Sequence, residues 1–196
     1  PRSFRDATGC VQRVREIKSE AEIARIREVS AIASRVFDRV PDFVQAGRPL
    51  ADVFRDFQIA LLAAGADWVS YVAGGAGQDG YGDVISPAGA QPLQRGDVLM
   101  LDTGAVKDGY FCDFDRNFAI KRASDAARRT HSALWQATGT ALAALRPGMT
   151  ASEAHRCLAD GLRRAGAEPS GGRLGHGLGI TLTEWPSLTP NYHTPL

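Results

Sequence analysis

Apolar residues recur at helical spacing early in the chain. Ile23, Ile26, Val29, Ile32, Val36, Phe37 and Val40 line one face of a helix. Ser19-Glu20-Ala21-Glu22 in front of them reads as a capping box, which satisfies the free N–H groups of a helix start. A second helix is predicted from about Leu50 to Ala64, stopped by Gly65. Trp68 to Val72 then reads as a strand, and residues 74–91 as glycine-rich loop. Val98-Leu99-Met100-Leu101 is a buried-strand run ending in Asp102. Tyr110 to Ile120 is a second strand, joined to it by the turn-prone Lys107-Asp108-Gly109. A long helix is predicted over Ala126 to Leu145. Thr150-Ala151-Ser152-Glu153 is another capping box, opening a helix that ends at Gly166.

One comparison within the chain organises these elements. Residues 48–68 and 148–169 share a plan: a turn, one amphipathic helix, then Ala-Gly-Ala, each preceded by a long helix. The pattern predicts a duplicated α+β unit, two halves whose strands form sheet with helices behind.

At 196 residues and 44% hydrophobic, the chain is long enough to bury a sizeable core as one domain. Its 23 basic and 22 acidic residues are intermixed and leave a net charge of +1. That balance offers no electrostatic footprint for nucleic acid or an anionic membrane. No apolar run is long enough to span a bilayer. Cys10, Cys112 and Cys157 are odd in number and lack metal-type spacing, which fits a reducing cytoplasm and no disulfide framework. The polar opening Pro1-Arg2-Ser3-Phe4 suits a linker, taken here as residues 1–12, from an upstream domain. The end at Thr194-Pro195-Leu196 reads as a cut.

The hairpin "LMLDTGAVKDGYFCDFDRNFAI" carries the most chemistry. If Asp108-Gly109 is its turn, Asp102 lies opposite Asp115 and diagonal to Asp113; if Lys107-Asp108 is, Asp102 lies opposite Asp113. Either register puts all three carboxylates on one face, where they repel unless a cation neutralises them. A solvated hairpin face with Arg116 as counter-charge is the competing reading. Cys112 alternates to the other face as a packed thiol. Farther on, "GRLGHGLGITLTEW" sets His176 among four glycines. Oxygen ligands joined by one imidazole suit manganese, cobalt or iron, and weakly magnesium, better than a thiolate zinc site.

At these residues the sequence resembles a known family. "LDTGAVKDGYFCDFDRNFAI" resembles the Asp-x-Gly…Asp-x-x-Arg segment of the creatinase/prolidase/methionine aminopeptidase metallopeptidases. "GHGLGITLTE" is similar to their His-Gly-x-Gly…His-Glu segment, and "RVREIKSEAEIARIREVSAIA" to the opening of the catalytic domain in aminopeptidase P-like and prolidase-like members. The resemblance implies an α+β pita-bread fold, duplicated halves around a curved, mainly antiparallel sheet. It implies two divalent ions, with Asp102 binding one, Asp113 bridging both and His176 binding the second. It places Thr183 and Glu184 at the catalytic positions of the His-Glu segment. Two further glutamate ligands would lie beyond residue 196, so this chain is expected to hold metal weakly or not at all.

The departures are specific. The histidine that would help stabilise the oxyanion is Thr183, no histidine precedes His131, and Asp115 stands where the peptidases commonly have threonine. His131 and His155 read as surface or capping residues, and His193 as a minor candidate near the chain end. Trp185 and Tyr81 read as pocket or packing aromatics. The glycines of "AGGAGQDGYG" lack the Lys-Ser/Thr ending of a phosphate loop. The expectation is therefore a metal-dependent Xaa-Pro peptidase-like hydrolase acting on a small peptide or small molecule, with a homodimer as the assembly carried forward. The alternatives are a creatinase-like hydrolase of a small amide or amidine, and a pita-bread binding module without catalysis.

Overall fold

The structure is a computed structural model that describes residues 3–82, 84–85, 87–170 and 172–196. Pro1, Arg2, Asp83, Ser86 and Gly171 lie outside the described residues, including parts of the opening stretch and of the predicted glycine-rich loop. The elements run α1 (Thr8–Glu16), α2 (Glu20–Phe43), α3 (Leu50–Ala63), β1 (Trp68–Gly77), β2 (Val98–Lys107), β3 (Tyr110–Phe111), β4 (Phe114–Ala119), α4 (Asp125–Ala144), α5 (Ala151–Arg164), β5 (His176–Gly177) and β6 (Glu184–Ser187). They group into two compact units. One is Ala21–Arg129; the other joins the segment ending at Glu20 to Thr130–Leu196.

The Ala21–Arg129 unit packs α2 and α3 over a four-stranded sheet in which β2 is central, paired antiparallel with β1 on one side and with β3 and β4 on the other. The predicted apolar stripe of α2 is buried from Val29 to Val40, while Ile23 and Ile26 are only half-buried. The core joins Val29, Val36 and Phe37 of α2 to Phe57 and Leu61 of α3 and to Leu99, Leu101 and Ala105 of β2. Cys112 lies in the same core, on the face away from the carboxylates, as its alternation predicts.

The hairpin turns at Asp108-Gly109, both of positive φ (48° and 80°), the signature of a type I′ turn. The strand predicted over Tyr110 to Ile120 is split into β3 and β4 at Cys112-Asp113, but one register offset holds on both sides of the split, from Lys107↔Tyr110 to Val98↔Ala119, and pairs Asp102 with Asp115. This selects the first of the two registers the sequence allows.

One expectation is corrected in this unit. The predicted loop from residue 74 is strand as far as Gly77, so β1 is twice as long as its apolar pattern shows. Glycine hides the strand because it has no side chain to alternate. It is also required: a Cβ on Gly74, whose φ is 144°, would stand 2.0 Å from the Met100 carbonyl oxygen.

In the other unit, Thr150 and Glu153 form the predicted capping box at the start of α5: Thr150 Oγ1 accepts from the Glu153 N–H at 3.2 Å, and Glu153 Oε2 accepts from the Thr150 N–H at 2.8 Å. The helix then packs Gly161 against Ala137 of α4, where an added Cβ would come within 3.1 Å of the Ala137 Cα. The short antiparallel pair β5–β6 follows. The chain thus twice runs from a long helix to a 14-residue helix to a strand, the plan the internal comparison predicts. Within the stretch read as a linker, residues 1–12, the chain is helical from Thr8, and α1 lies against β6 of its own unit.

Candidate metal centre

Strand alternation and the hairpin register bring two carboxylates and a phenol together. Asp102 of β2 and Asp113, in the short gap between β3 and β4, both reach the hydroxyl of Tyr71 on β1, at 2.9 and 3.0 Å from Oδ1 of each. Asp115, paired with Asp102 across the strands, is exposed and makes no such contact with Tyr71. A phenol has one proton for the two carboxylates. Burial, with the two negative charges beside it, pushes the Tyr71 hydroxyl far above the ordinary tyrosine range, so it stays a donor.

The same crowding acts on Asp102. Burial and the charges of Asp113 and Asp115 push its carboxyl up to about 6, against the lowering effect of the Tyr71 hydroxyl and the Thr103 N–H. Two hard oxygen donors converging on one point, with more negative charge than one proton can offset, fit a divalent cation. Among the described residues no three His, Cys, Asp or Glu side chains form a ready-made metal cluster.

This shift has a measurable consequence for stability. The folded Asp102 holds a proton up to about pH 6, whereas its unfolded value is near 3.8. Between those values the folded state binds more protons than the unfolded state, so stability falls as pH rises through the window. Asp102→Asn in metal-free protein is expected to remove that fall. It should gain on the order of 1–2 kcal/mol relative to wild type between pH 4 and pH 7. Melting curves in chelator across this range check it; a difference that does not change with pH contradicts it.

His176 is placed by the other unit. It begins β5, half-buried, and its Nδ1 lies 2.8 Å from the Gly177 carbonyl oxygen. A carbonyl can only accept, so Nδ1 carries a proton, which leaves Nε2 as the nitrogen that can offer a lone pair. This is the tautomer a metal-binding imidazole needs. Gly177 is pressed against β6, where a Cβ would come within 2.3 Å of the Trp185 carbonyl oxygen. Thr183 is exposed, and its Oγ1 accepts from Arg173 at 3.4 Å.

Glu184 sits in a different environment. Its side chain is 5% exposed, and its carboxylate is paired with Arg15 and lies 3.1 Å from Lys18 Nζ. Burial raises its carboxyl, but Arg15, Lys18 and the Thr181 N–H outweigh that and hold it below the usual glutamate range.

Tyr71, Arg15 and Lys18 are the residues that sequence reasoning does not single out. Tyr71 carries a usable signal, a phenol on the strand predicted over residues 68–72. Arg15 and Lys18 carry none beyond lying in a segment of family resemblance. Trp185 stacks on Tyr192 with centroids 4.6 Å apart, and Tyr81 donates to Asn117 Oδ1 at 2.7 Å. His193 Nδ1 lies 3.1 Å from Ser152 Oγ beside the α5 N-terminus. The three cysteines are unpaired.

Comparison with known proteins places the fold and the family. The chain is 35% identical over 184 residues to a probable dipeptidase, PepE, of Mycobacterium tuberculosis, covering 93% of this chain and 49% of that protein. It superposes on the dipeptidase PepE of Mycobacterium ulcerans with a TM-score of 0.87 at 33% identity, covering 97% of this chain and 52% of the other. On the X-Pro aminopeptidase of Thermotoga maritima the TM-score is 0.86 at 26% identity, covering 96% and 54%. The chain spans about half the length of the relatives it matches. The α+β fold is the pita-bread fold expected from the sequence. The signature of metallopeptidase family M24 matches residues 24–196, a span that holds both the carboxylate hairpin and the His176 loop, and the chain belongs to that family.

Proposed function

We propose that this chain forms the catalytic domain of a metal-dependent hydrolase of peptide bonds, with Xaa-Pro dipeptides as the substrate class. The observation that carries the reading is the convergence of Asp102 and Asp113 on Tyr71. Relatives described as a dipeptidase and an X-Pro aminopeptidase support it.

Asp102 and Asp113 are the proposed carboxylate ligands. His176 is proposed as the imidazole ligand from its tautomer and from the family resemblance. The donor set favours manganese, cobalt or iron, and two ions is the number the resemblance implies. Bound divalent metal lowers the pKa of a coordinated water and polarises the scissile carbonyl. Tyr71 meanwhile holds both carboxylates in one orientation and keeps its own proton while doing so. The unpaired cysteines fit a cytoplasmic setting. Among the described residues no helix is long and apolar enough to cross a membrane.

The test is metal content of the whole protein, followed by turnover of an Xaa-Pro dipeptide panel against small amides and amidines. Bound metal with peptide turnover supports the reading. Bound metal with turnover of amides alone replaces it with the small-metabolite reading, which Thr183 and the lack of a histidine before His131 favour. No metal and no turnover leaves the binding module.

Thr183→His separates the first two with opposite signs. An imidazole there can donate to the developing oxyanion, an interaction strongest in the transition state and therefore expressed in kcat. In an Xaa-Pro peptidase the substitution is expected to raise dipeptide turnover about tenfold, or roughly 1.4 kcal/mol. In an amide hydrolase it should damage the native reaction and leave peptides uncut.

A further inference from the structure

Glu184 is one of two charged residues, with Asp97, that are buried among the described residues. Its Oε1 is hydrogen-bonded, while Oε2 is matched by charge alone. Arg15 Nη2 donates to Oε1, which also accepts from the Thr181 N–H at 3.1 Å, and Lys18 Nζ lies 3.1 Å from Oε2. The same Arg15 nitrogen donates to Thr181 Oγ1 at 2.7 Å. Gly179 leaves room for this arrangement: a Cβ there would stand 2.8 Å from both Glu184 oxygens. The carboxylate thus ties the end of α1 to the turn 179–184.

α1 has no buried residue, and Val11, Val14 and Ile17 are exposed. From Glu184 the connection runs on through the backbone. Glu184 pairs with Gly177 and Ser187 with His176 across β5–β6, and the pairing is extended where the Leu174 N–H donates to the Leu188 carbonyl and the Leu188 N–H to the Gly175 carbonyl, each at 2.9 Å. Gly177 is the residue whose carbonyl fixes the His176 tautomer.

We propose that Arg15 and Lys18 are positioning residues: acting through the Glu184 carboxylate, they lock the 179–184 turn and the β5–β6 pair that sets the orientation and tautomer of His176. Glu184 is on this reading an anchor and does not transfer a proton. The proposal deepens the metallohydrolase reading and rests on it for the role of His176. Removing one partner of a buried ion pair leaves the other charge uncompensated, so the turn should shift even where the fold survives.

The experiment combines kinetics with an NMR reading of the His176 ring by long-range 1H–15N correlation, on the whole protein. Arg15 is 31% exposed on its side chain, so Arg15→Ala is the first variant, with Lys18→Ala as a second in case the first does not fold. Arg15→Ala is expected to lower kcat at least tenfold with KM within twofold, and to replace the Nδ1–H signature with a mixture of tautomers. Arg15→Lys should recover most of both, and Lys18→Ala should move both in the same direction by less. An unchanged His176 signature in Arg15→Ala and Glu184→Gln overturns the proposal, whether or not kcat falls; a fall in kcat alone would give Glu184 a direct role. If wild type cleaves no peptide, the functional reading fails by itself, and the tautomer still decides the positioning role.

Discussion

Asp113→Asn is expected to strip metal from the whole protein and abolish turnover, while Asp115→Asn is expected to spare both. The two residues are close in sequence, and both are carboxylates on one hairpin, yet their surroundings differ. Asp113 Oδ1 shares the Tyr71 hydroxyl with Asp102, so the two charges lie side by side, as the proposed ligand pair requires. An asparagine keeps the hydrogen-bond acceptor and removes the charge. Even residues that only orient a metal ligand cost about 10–100-fold in metal affinity when replaced, so loss of a ligand charge should cost at least about a hundredfold. Asp115 is exposed and adds to the like-charge crowding that raises Asp102. Asp115→Asn relieves part of that crowding, and metal affinity should move by only about threefold, as for exposed charges in general. Metal titration calorimetry of both variants decides it. Metal lost in Asp115→Asn and kept in Asp113→Asn would overturn the assignment of ligands on this hairpin.

The second large effect is on stability. Gly74→Ala is expected to destabilise the protein by about 3 kcal/mol or more, since it combines backbone strain with overpacking at a buried site. The new methyl would meet backbone, the Met100 carbonyl oxygen at 2.0 Å, and that atom belongs to the central strand and cannot swing aside. The φ of 144° adds strain for any residue with a Cβ. At roughly 2–4 °C per kcal/mol for a chain of this size, the melting temperature should fall by about 6–12 °C. Gly139→Ala is the control with the opposite sign. Gly139 lies inside α4 with open space around it, so alanine should stabilise by about 0.5–1 kcal/mol through helix propensity. Thermal denaturation of the two variants tests both signs. A Gly74→Ala protein that melts with wild type would mean that β1 and β2 do not approach as closely as described.

The candidate centre was legible in part. Asp102 and Asp113 stand out because three carboxylates on two apolar strands need an explanation, and alternation alone puts them on one face. The choice of partner across the strands was not legible, because alternation fixes a face and leaves the register free. The Asp108-Gly109 turn fixes it, by taking positive φ at both positions. Tyr71 was hidden for a related reason: a strand pattern says that a tyrosine shares a face with something, and only the β1–β2 pairing says with what.

The sequence by itself determined four of the five described helices (all but α1), the hairpin, the repeated long helix–short helix–strand plan and the family, because each is written in local spacing: apolar period, capping pairs, turn residues and short motifs. Three matters needed the tertiary structure: the extension of β1 through its glycines, the meeting of Tyr71 with the two aspartates, and the pairing of Glu184 with Arg15 from 169 positions away. A glycine reads as loop or strand according to what packs against it. The partner of a buried charge is set by where two distant segments come to lie, and no periodicity within either segment carries that information.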